Sequence, residues 1–218
     1  MFETFEKLPE SRREQILQVC MEEFVRHGYI NASTNRIVNR LGISKGVLFL
    51  YFKNKKSLYL YLVEHVSKLL IDDYFDHFGG GPVMVINVFD HLGEYYKKLL
   101  QEKPELILFM LEAFVRAPAE MKEEVEARHS QVHGKAISYL DKAGFREGID
   151  IETVVDLLHI VSYHVGQMIF DKYKDKDICE INREEINRNI DYFEEVFSKY
   201  IDILKYGVYE KRPVNHKK

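Results

Sequence analysis

The sequence predicts an all-α protein of about nine helices, a small N-terminal three-helix unit followed by a larger helical domain. Three observations carry this. Apolar residues recur at spacings of three and four along most of the chain, strand-like alternation is scarce, and the breaks between periodic segments fall at Gly or Pro. With 218 residues, 46% apolar and 30% charged, the chain can bury a core without disulfides or metals, which excludes a largely disordered molecule.

Caps and apolar faces place each helix. Ser11 is expected to cap the first, in which Ile16, Cys20 and Phe24 recur every four residues beside Leu17 and Met21, and Gly28 ends it. Ser33 and Thr34 supply cap hydroxyls for a second helix with Ile37 and Leu41 on one face, stopped by Gly42, where the backbone tolerates positive φ. Ser44 caps a third, Lys45 to Phe52, with Leu48 and Phe52 inward and Lys45, Gly46, Phe49 and Leu50 outward. Two short helices joined by a tight turn at a glycine form the helix-turn-helix arrangement, whose second helix enters a major groove.

A long fourth helix runs from Lys55 through Leu58, Leu62, Val66 and Leu69 to Tyr74, and the clearest linker follows at Gly79-Gly80-Gly81-Pro82. Later helices are expected at about 83–101, 104–116 and 119–143, from Asp150 to about Tyr173, and from Asn182 or Arg183 to about Tyr206. This divides the chain into a helix-turn-helix domain at 1–56, a larger helical domain at 57–210 and a basic tail at 211–218. In the last helix Ile186, Ile190, Phe193, Phe197, Tyr200 and Leu204 are spaced as an a/d seam, and the helix from 151 to 173 is apolar on nearly every side. A helix of that kind must be covered on both sides, so a homodimer interface is expected from Val155, Leu158, Ile190, Phe193, Phe197, Tyr200 and Leu204.

Charge is unevenly placed. The formal total is −4, yet no acidic residue occurs between Glu23 and Glu64, a stretch that carries Arg26, Arg36, Arg40, Lys45, Lys53, Lys55 and Lys56. Such a block suits a polyanion, because each neutralised phosphate releases condensed counterions. Charge alone is equally compatible with a solvated basic face. Cys20 and Cys179 are too sparse for a disulfide scaffold, and the longest uncharged run, Leu157 to Phe170, is shorter than the ~20 residues a spanning helix needs. No signal peptide or membrane span is expected, and the localisation expected is cytoplasmic.

The stretch from Gly28 through Ser33, Thr34, Asn35, Ile37, Leu41, Gly42, Ser44, Lys45, Gly46, Tyr51 and Phe52 to Lys55 resembles the DNA-binding domain of TetR/AcrR-type bacterial transcriptional regulators. The resemblance extends from Ile16 to Leu58; beyond it, only helix count and length agree. It implies backbone contacts from Thr34 and Asn35, and a recognition helix that is capped by Ser44 and presents Lys45, Gly46, Val47, Phe49 and Leu50. It also implies phosphate contacts from Tyr51 and Lys55. Lys45 has donors suited to guanine O6 and N7, while Val47, Phe49 and Leu50 stand where the family usually has hydroxyl-bearing or polar residues. These three either read thymine methyl groups or weaken binding.

In that family the larger domain binds a small molecule. The residues expected to line such a site are Phe89, Tyr96, Phe109, Met110, Phe114, Tyr139, Tyr163 and Met168, with Tyr95, Phe170 and Met84 as wider candidates. Glu126-x-x-His129 and Asp156-x-x-His159, with His133, have the spacing of di-iron bundles but lack the further carboxylates, so no metal or cofactor is expected. No phosphate loop, nucleophile elbow or catalytic triad pattern occurs, so no enzyme is expected. The resemblance thus implies a homodimeric repressor that leaves a palindromic operator in double-stranded DNA when an apolar or amphipathic effector binds. The alternative is a ligand-binding or metal-binding protein of the same fold without specific DNA binding.

Overall fold

A computed structural model of the chain describes residues 2–76, 83–141, 145, 147–173 and 183–207. The expected linker at 79–82, Cys179 and the tail at 211–218 lie outside the described residues, as do the side chains of Phe89, His133 and Ile186. Among the described residues ten helices follow one another: α1 Glu3–Glu6, α2 Glu10–Asn31, α3 Thr34–Leu41, α4 Lys45–Phe52, α5 Lys55–Asp76, α6 Val85–Glu102, α7 Pro104–Val115, α8 Ala119–Ile137, α9 Ile151–Tyr173 and α10 Arg183–Tyr206. Two-residue strands, β1 Val83–Met84 and β2 Leu140–Asp141, pair in parallel beside the larger domain.

The N-terminal boundaries follow from capping chemistry. Ser33 and Ser44 accept hydrogen bonds from the N–H groups of Arg36 and Val47, so α3 and α4 begin one residue after each serine. Gly42 takes the left-handed conformation, φ 63°, that ends α3 and turns the chain into α4. The first long helix departs from expectation at both ends. Pro9, not Ser11, precedes it, and Gly28 kinks it at φ 64° and ψ 167° without ending it, so one more turn runs on to Asn31. That backbone region is nearly exclusive to glycine.

The helix α1 has no counterpart in the periodicity, because four residues show no period. It forms because Phe5 buries its ring completely against Phe52, Tyr51 and Tyr61, which is worth ~2–3 kcal/mol.

The core of the N-terminal unit does not close on itself. One continuous cluster joins Ile16, Phe24, Ile37, Leu48 and Phe52 to Leu58, Tyr59 and Val66 of α5, Phe109 and Ala113 of α7, and Met121 and Val125 of α8. A second cluster fills the space among α6, α7, α9 and α10, and a third holds Tyr74, Phe75, Val83 and Val88. The helix α7 therefore separates two cores and is apolar on both sides.

In α10 the inward face is Ile190, Phe193, Phe197 and Ile201, all buried in the chain's own core. A strict seam of period 3.5 drifts against the 3.6 residues of a straight helix. By the last turns Tyr200 has rotated outward, Leu204 is half-buried and Ile201 faces in. Val155 and Leu158 of α9 are likewise enclosed within the chain. The apolar surface open to a partner is a different one, with Leu157, Ile160 and Tyr163 on α9 and Tyr192, Tyr200 and Ile203 on α10.

Candidate nucleic-acid interface and ligand cavity

The exposed face of the N-terminal unit is organised by a buried acid. Glu23, 2% exposed, accepts from the Ser33 N–H at 2.7 Å and from the Arg36 guanidinium at 2.6 to 3.2 Å, fixing the start of α3 against α2. Arg36 also donates to the Asn31 carbonyl at 2.8 Å. On the surface so fixed, Thr34 is half-buried and Asn35 exposed at the first turn of α3, and Ser44, Lys45 and Gly46 are exposed at the first turn of α4.

Along α4, Val47, Phe49 and Tyr51 are half-buried, whereas Leu50 is 64% exposed. Lys45 holds its ammonium 5.6 Å from the centre of the Phe49 ring. A Cβ built on Gly46 would meet nothing nearer than Ser44 Oγ at 3.7 Å, so the fold itself does not require glycine there. A glycine inside a helix costs ~1 kcal/mol relative to alanine, and the bare backbone at Gly46 leaves that room to something outside the chain.

The basic block is mostly spent within the molecule. Arg36 pairs with Glu23, Arg40 with Glu22 and Lys56 with Glu124 of α8. Lys55 donates to the carbonyls of Ile30 and Ala32 at 3.1 and 3.0 Å and lies over the Tyr29 ring at 4.9 Å, and burial lowers its pKa. Lys55 is thus a clamp on the C-terminal turn of α2. The acids that pair with the block, Glu22, Glu23 and Glu124, lie outside the counted stretch, so a count of charge within it does not show their pairing. Lys53, exposed at the C-terminal end of α4 with φ 62°, makes no ion pair among the described residues. The sequence places Lys53 in the acid-free basic block but not among the DNA contacts that the resemblance implies.

Between this unit and the larger domain sits Glu112 of α7, fully buried. It accepts from the Tyr59 hydroxyl at 2.7 Å and from the Tyr29 N–H, which the kink at Gly28 releases from the helix ladder, at 3.1 Å. Burial raises its pKa to about 7 against the lowering pull of those two bonds. A lone acid in the run Ile107–Val115 was the available signal.

The larger domain contains a cavity of about 570 Å³ bounded by residues of α5 to α10. Of the residues expected to line it, Tyr96, Met110, Phe114 and Tyr163 do so. Phe109 does not: it faces the other core, fully buried against Tyr59 and Phe24. Tyr139 stacks on Phe75 at 5.0 Å, and Met168 packs within the second cluster. In a helix apolar all round, sequence cannot tell which side faces a void.

The wall is made apolar by spending its hydroxyls elsewhere. Tyr74 donates to the Val88 carbonyl at 3.0 Å and Tyr95 to the Leu70 carbonyl at 2.9 Å, so both turn rings toward the space. Polar groups gather where Ser67 of α5 meets His129 of α8, Oγ to Nδ1 3.1 Å, with His159 of α9 at 6.1 Å between ring centres. Glu126 also lines the cavity. Among the described residues, no three His, Cys, Asp or Glu side chains gather as a metal site. None of the described helices is long and apolar enough to cross a membrane.

Residues 16–62 match the family model of bacterial regulatory proteins of the tetR family. Over 66 residues, 29% of this chain, the sequence is 41% identical to the HTH-type transcriptional activator FasR of Mycolicibacterium smegmatis, and that match spans 30% of the relative's length. A TetR family transcriptional regulator from Chloroflexus aurantiacus superposes with a TM-score of 0.56 at 24% identity, covering 94% of this chain and 96% of the other. The regulator FadR of Bacillus subtilis, solved in complex with stearoyl-CoA, gives 0.67 at 14% identity, covering 90% and 99%. At these identities the two structures show a shared fold.

Proposed function

We propose, from the premise that this is a TetR-type chain with the tetR-family N-terminal domain at residues 16–62, that it is a ligand-responsive DNA-binding regulator of transcription. The observation that carries the reading is the exposed first turn of α4. There Lys45 and the bare backbone of Gly46 project from a helix whose start is capped by Ser44. Lys45 reaches a base edge, Leu50 and Phe49 supply apolar contact to thymine methyl groups, and Thr34, Asn35 and Lys53 meet phosphates. Tyr51, half-buried against Phe5, contributes its hydroxyl edge.

A homodimer presents two such helices to successive major grooves of a palindromic operator, ~34 Å apart. Its interface is formed by the exposed apolar faces of α9 and α10, Leu157, Ile160 and Tyr163 with Tyr192, Tyr200 and Ile203. The effector is an apolar or amphipathic molecule in the 570 Å³ cavity, a reading supported by the aromatic wall and by the stearoyl-CoA bound in the FadR structure of the same fold.

The chain acts as a repressor, released when the effector shifts α5 and α7. Each of these helices has cavity residues at one place and contacts with the N-terminal unit at another, Ser67 and Lys55 on α5, Met110 and Glu112 on α7. An effector acts in this way only to the extent that it binds the released arrangement better. The test is a selection of genomic fragments on the purified protein, followed by elution with candidate amphiphiles. Enrichment of a palindromic sequence that amphiphiles release supports the reading, and recovery of random fragments contradicts it.

A further inference from the structure

Part of the cavity's polar lining is drawn together where α5, α8 and α9 meet, apart from Lys97 and Glu194 on α6 and α10. Ser67 is 1% exposed, yet its hydroxyl is held on His129 Nδ1 at 3.1 Å, and its other neighbour is the Met110 sulfur at 3.9 Å. The His129 ring lies edge-on to Phe114 at 4.5 Å between centres and 6.1 Å from His159. Two imidazoles from different helices and a buried serine on α5 therefore share one patch of an otherwise apolar space. The other cation lining the cavity, Lys97, is already divided between Asp191 at 3.0 Å and Glu194 at 2.8 Å.

We propose that this patch is the head-group site of the effector, and that the effector is an elongated apolar molecule ending in a carboxylic acid. The inference deepens the reading above, on which it rests. A permanent ion entering an apolar cavity loses its hydration, and a neutral head group makes only a weak hydrogen bond to an imidazole. A carboxylic acid avoids both costs: its O–H bond breaks, the proton passes to an imidazole nitrogen, and a carboxylate–imidazolium pair forms that adds no net charge to the cavity. Burial lowers the pKa of His159, so its ring enters the encounter neutral, and it is the carboxylate arriving beside it that favours the protonated form.

The charged groups nearby are compatible with this. Asp156 on α9 favours the protonated ring of His159, Glu126 on α8 lines the same cavity, and Arg128 is already paired with Glu64 of α5 at 2.6 Å. From α7 the ring of Phe114 faces His129. The site also has a route outward. The Ser67–His129 bond ties α5 to α8, as the Lys56–Glu124 and Glu64–Arg128 pairs do further along, so a carboxylate that claims His129 competes for one of the ties that position the helix leading into the DNA-facing unit.

The test measures binding of stearic acid, stearyl alcohol and stearylamine to the full chain by calorimetry, in wild type and in His129→Leu, His159→Leu and Ser67→Ala, with thermal unfolding as the check on folding. The expected result is that wild type binds the acid ~10-fold or more tighter than the alcohol. His129→Leu or His159→Leu then abolishes that preference while alcohol binding stays within about threefold. If His129→Leu does not fold, His129→Gln takes its place. Equal losses for acid and alcohol, tightest binding of the amine, or no binding of any of the three overturns the assignment. Specific DNA binding is measured on the same preparations. Its presence without acid binding overturns the head-group site alone, and its absence with selective acid binding overturns the regulatory reading alone.

Discussion

The N-terminal unit and the larger domain use the same helices and differ in what they leave unfilled. In the first, the buried acids are each held by two donors, Glu23 by Ser33 and Arg36, Glu112 by Tyr59 and Tyr29, and the apolar interior is continuous from Ile16 to Val125. In the second, six helices border a void of about 570 Å³, and Ser67, His129 and His159 meet on its wall. On the proposed reading, a surface that presents Lys45 in one geometry is best served by a close-packed interior, and a domain that switches on ligand binding by space that a ligand can fill. Glu112 sits where the two strategies meet.

The largest expected break in this contrast comes from Glu23→Ala. Removing a buried acid that satisfies two partners is expected to lower stability by ~2–4 kcal/mol in urea unfolding and to weaken DNA binding through a loosened α3. A loss below 1 kcal/mol would mean that the network does not organise the unit.

The second test is pH. The pKa of Glu112 is raised by burial from an ordinary 4.5 to about 7. A carboxyl whose folded pKa is raised stabilises the fold below its unfolded pKa, and that contribution is lost as pH rises through the folded pKa. Between about pH 4.5 and pH 7 wild type should therefore lose up to ~3 kcal/mol relative to Glu112→Gln, which removes the titration. Parallel stability profiles for the two proteins would show that Glu112 does not titrate in this range.

The lysines sharpen the comparison on the DNA side. Lys53→Ala is expected to reduce the slope of log affinity against log salt by ~0.9, as one lost phosphate contact does. Lys55→Ala is expected to leave that slope unchanged and to cost ~1–2 kcal/mol of stability, because its ammonium serves the Ile30 and Ala32 carbonyls. The reverse pattern would return Lys55 to the phosphate role that the family resemblance implies.

The smallest effect is expected at Gly166. A Cβ there would lie 2.5 Å from Leu111 Cδ2, the tip of a side chain that itself lines the cavity. Gly166→Ala should displace Leu111 into the void, weakening ligand binding severalfold with under ~1 kcal/mol change in stability. Unaltered ligand affinity, measured by calorimetry, would place the ligand elsewhere.

What was legible in the sequence follows from how local the determining physics is. The bounds of α3 and α4 depend on Ser33, Gly42 and Ser44, which act within four residues, and sequence locates them closely. The helix α1 depends on Phe5 meeting Phe52 and Tyr61 from far along the chain, and no local signal announces it. The acid-free block reads as a polyanion footprint, but Glu22, Glu23 and Glu124 reach into it from outside and neutralise three of its cations. Cavity residues were only partly legible for the same reason. Phe109 and Met110 are neighbours on α7 in one core cluster, and that Met110 alone of the two also borders the cavity is decided by the packing of other helices.

The central claim is that α4 reads DNA and that Lys45 is its base-contacting residue. The measurement that tests it most directly is a fluorescence-anisotropy titration of the protein with the DNA upstream of its own coding region, against random DNA, at two salt concentrations. Wild type, Lys45→Ala and Lys55→Ala are compared. The account predicts saturable, salt-sensitive binding that outcompetes random DNA and loses ~1–3 kcal/mol of that preference in Lys45→Ala, with Lys55→Ala retaining the preference. Specific binding that persists undiminished in Lys45→Ala, or wild-type binding no better than to random DNA there and in the genomic selection, would contradict it.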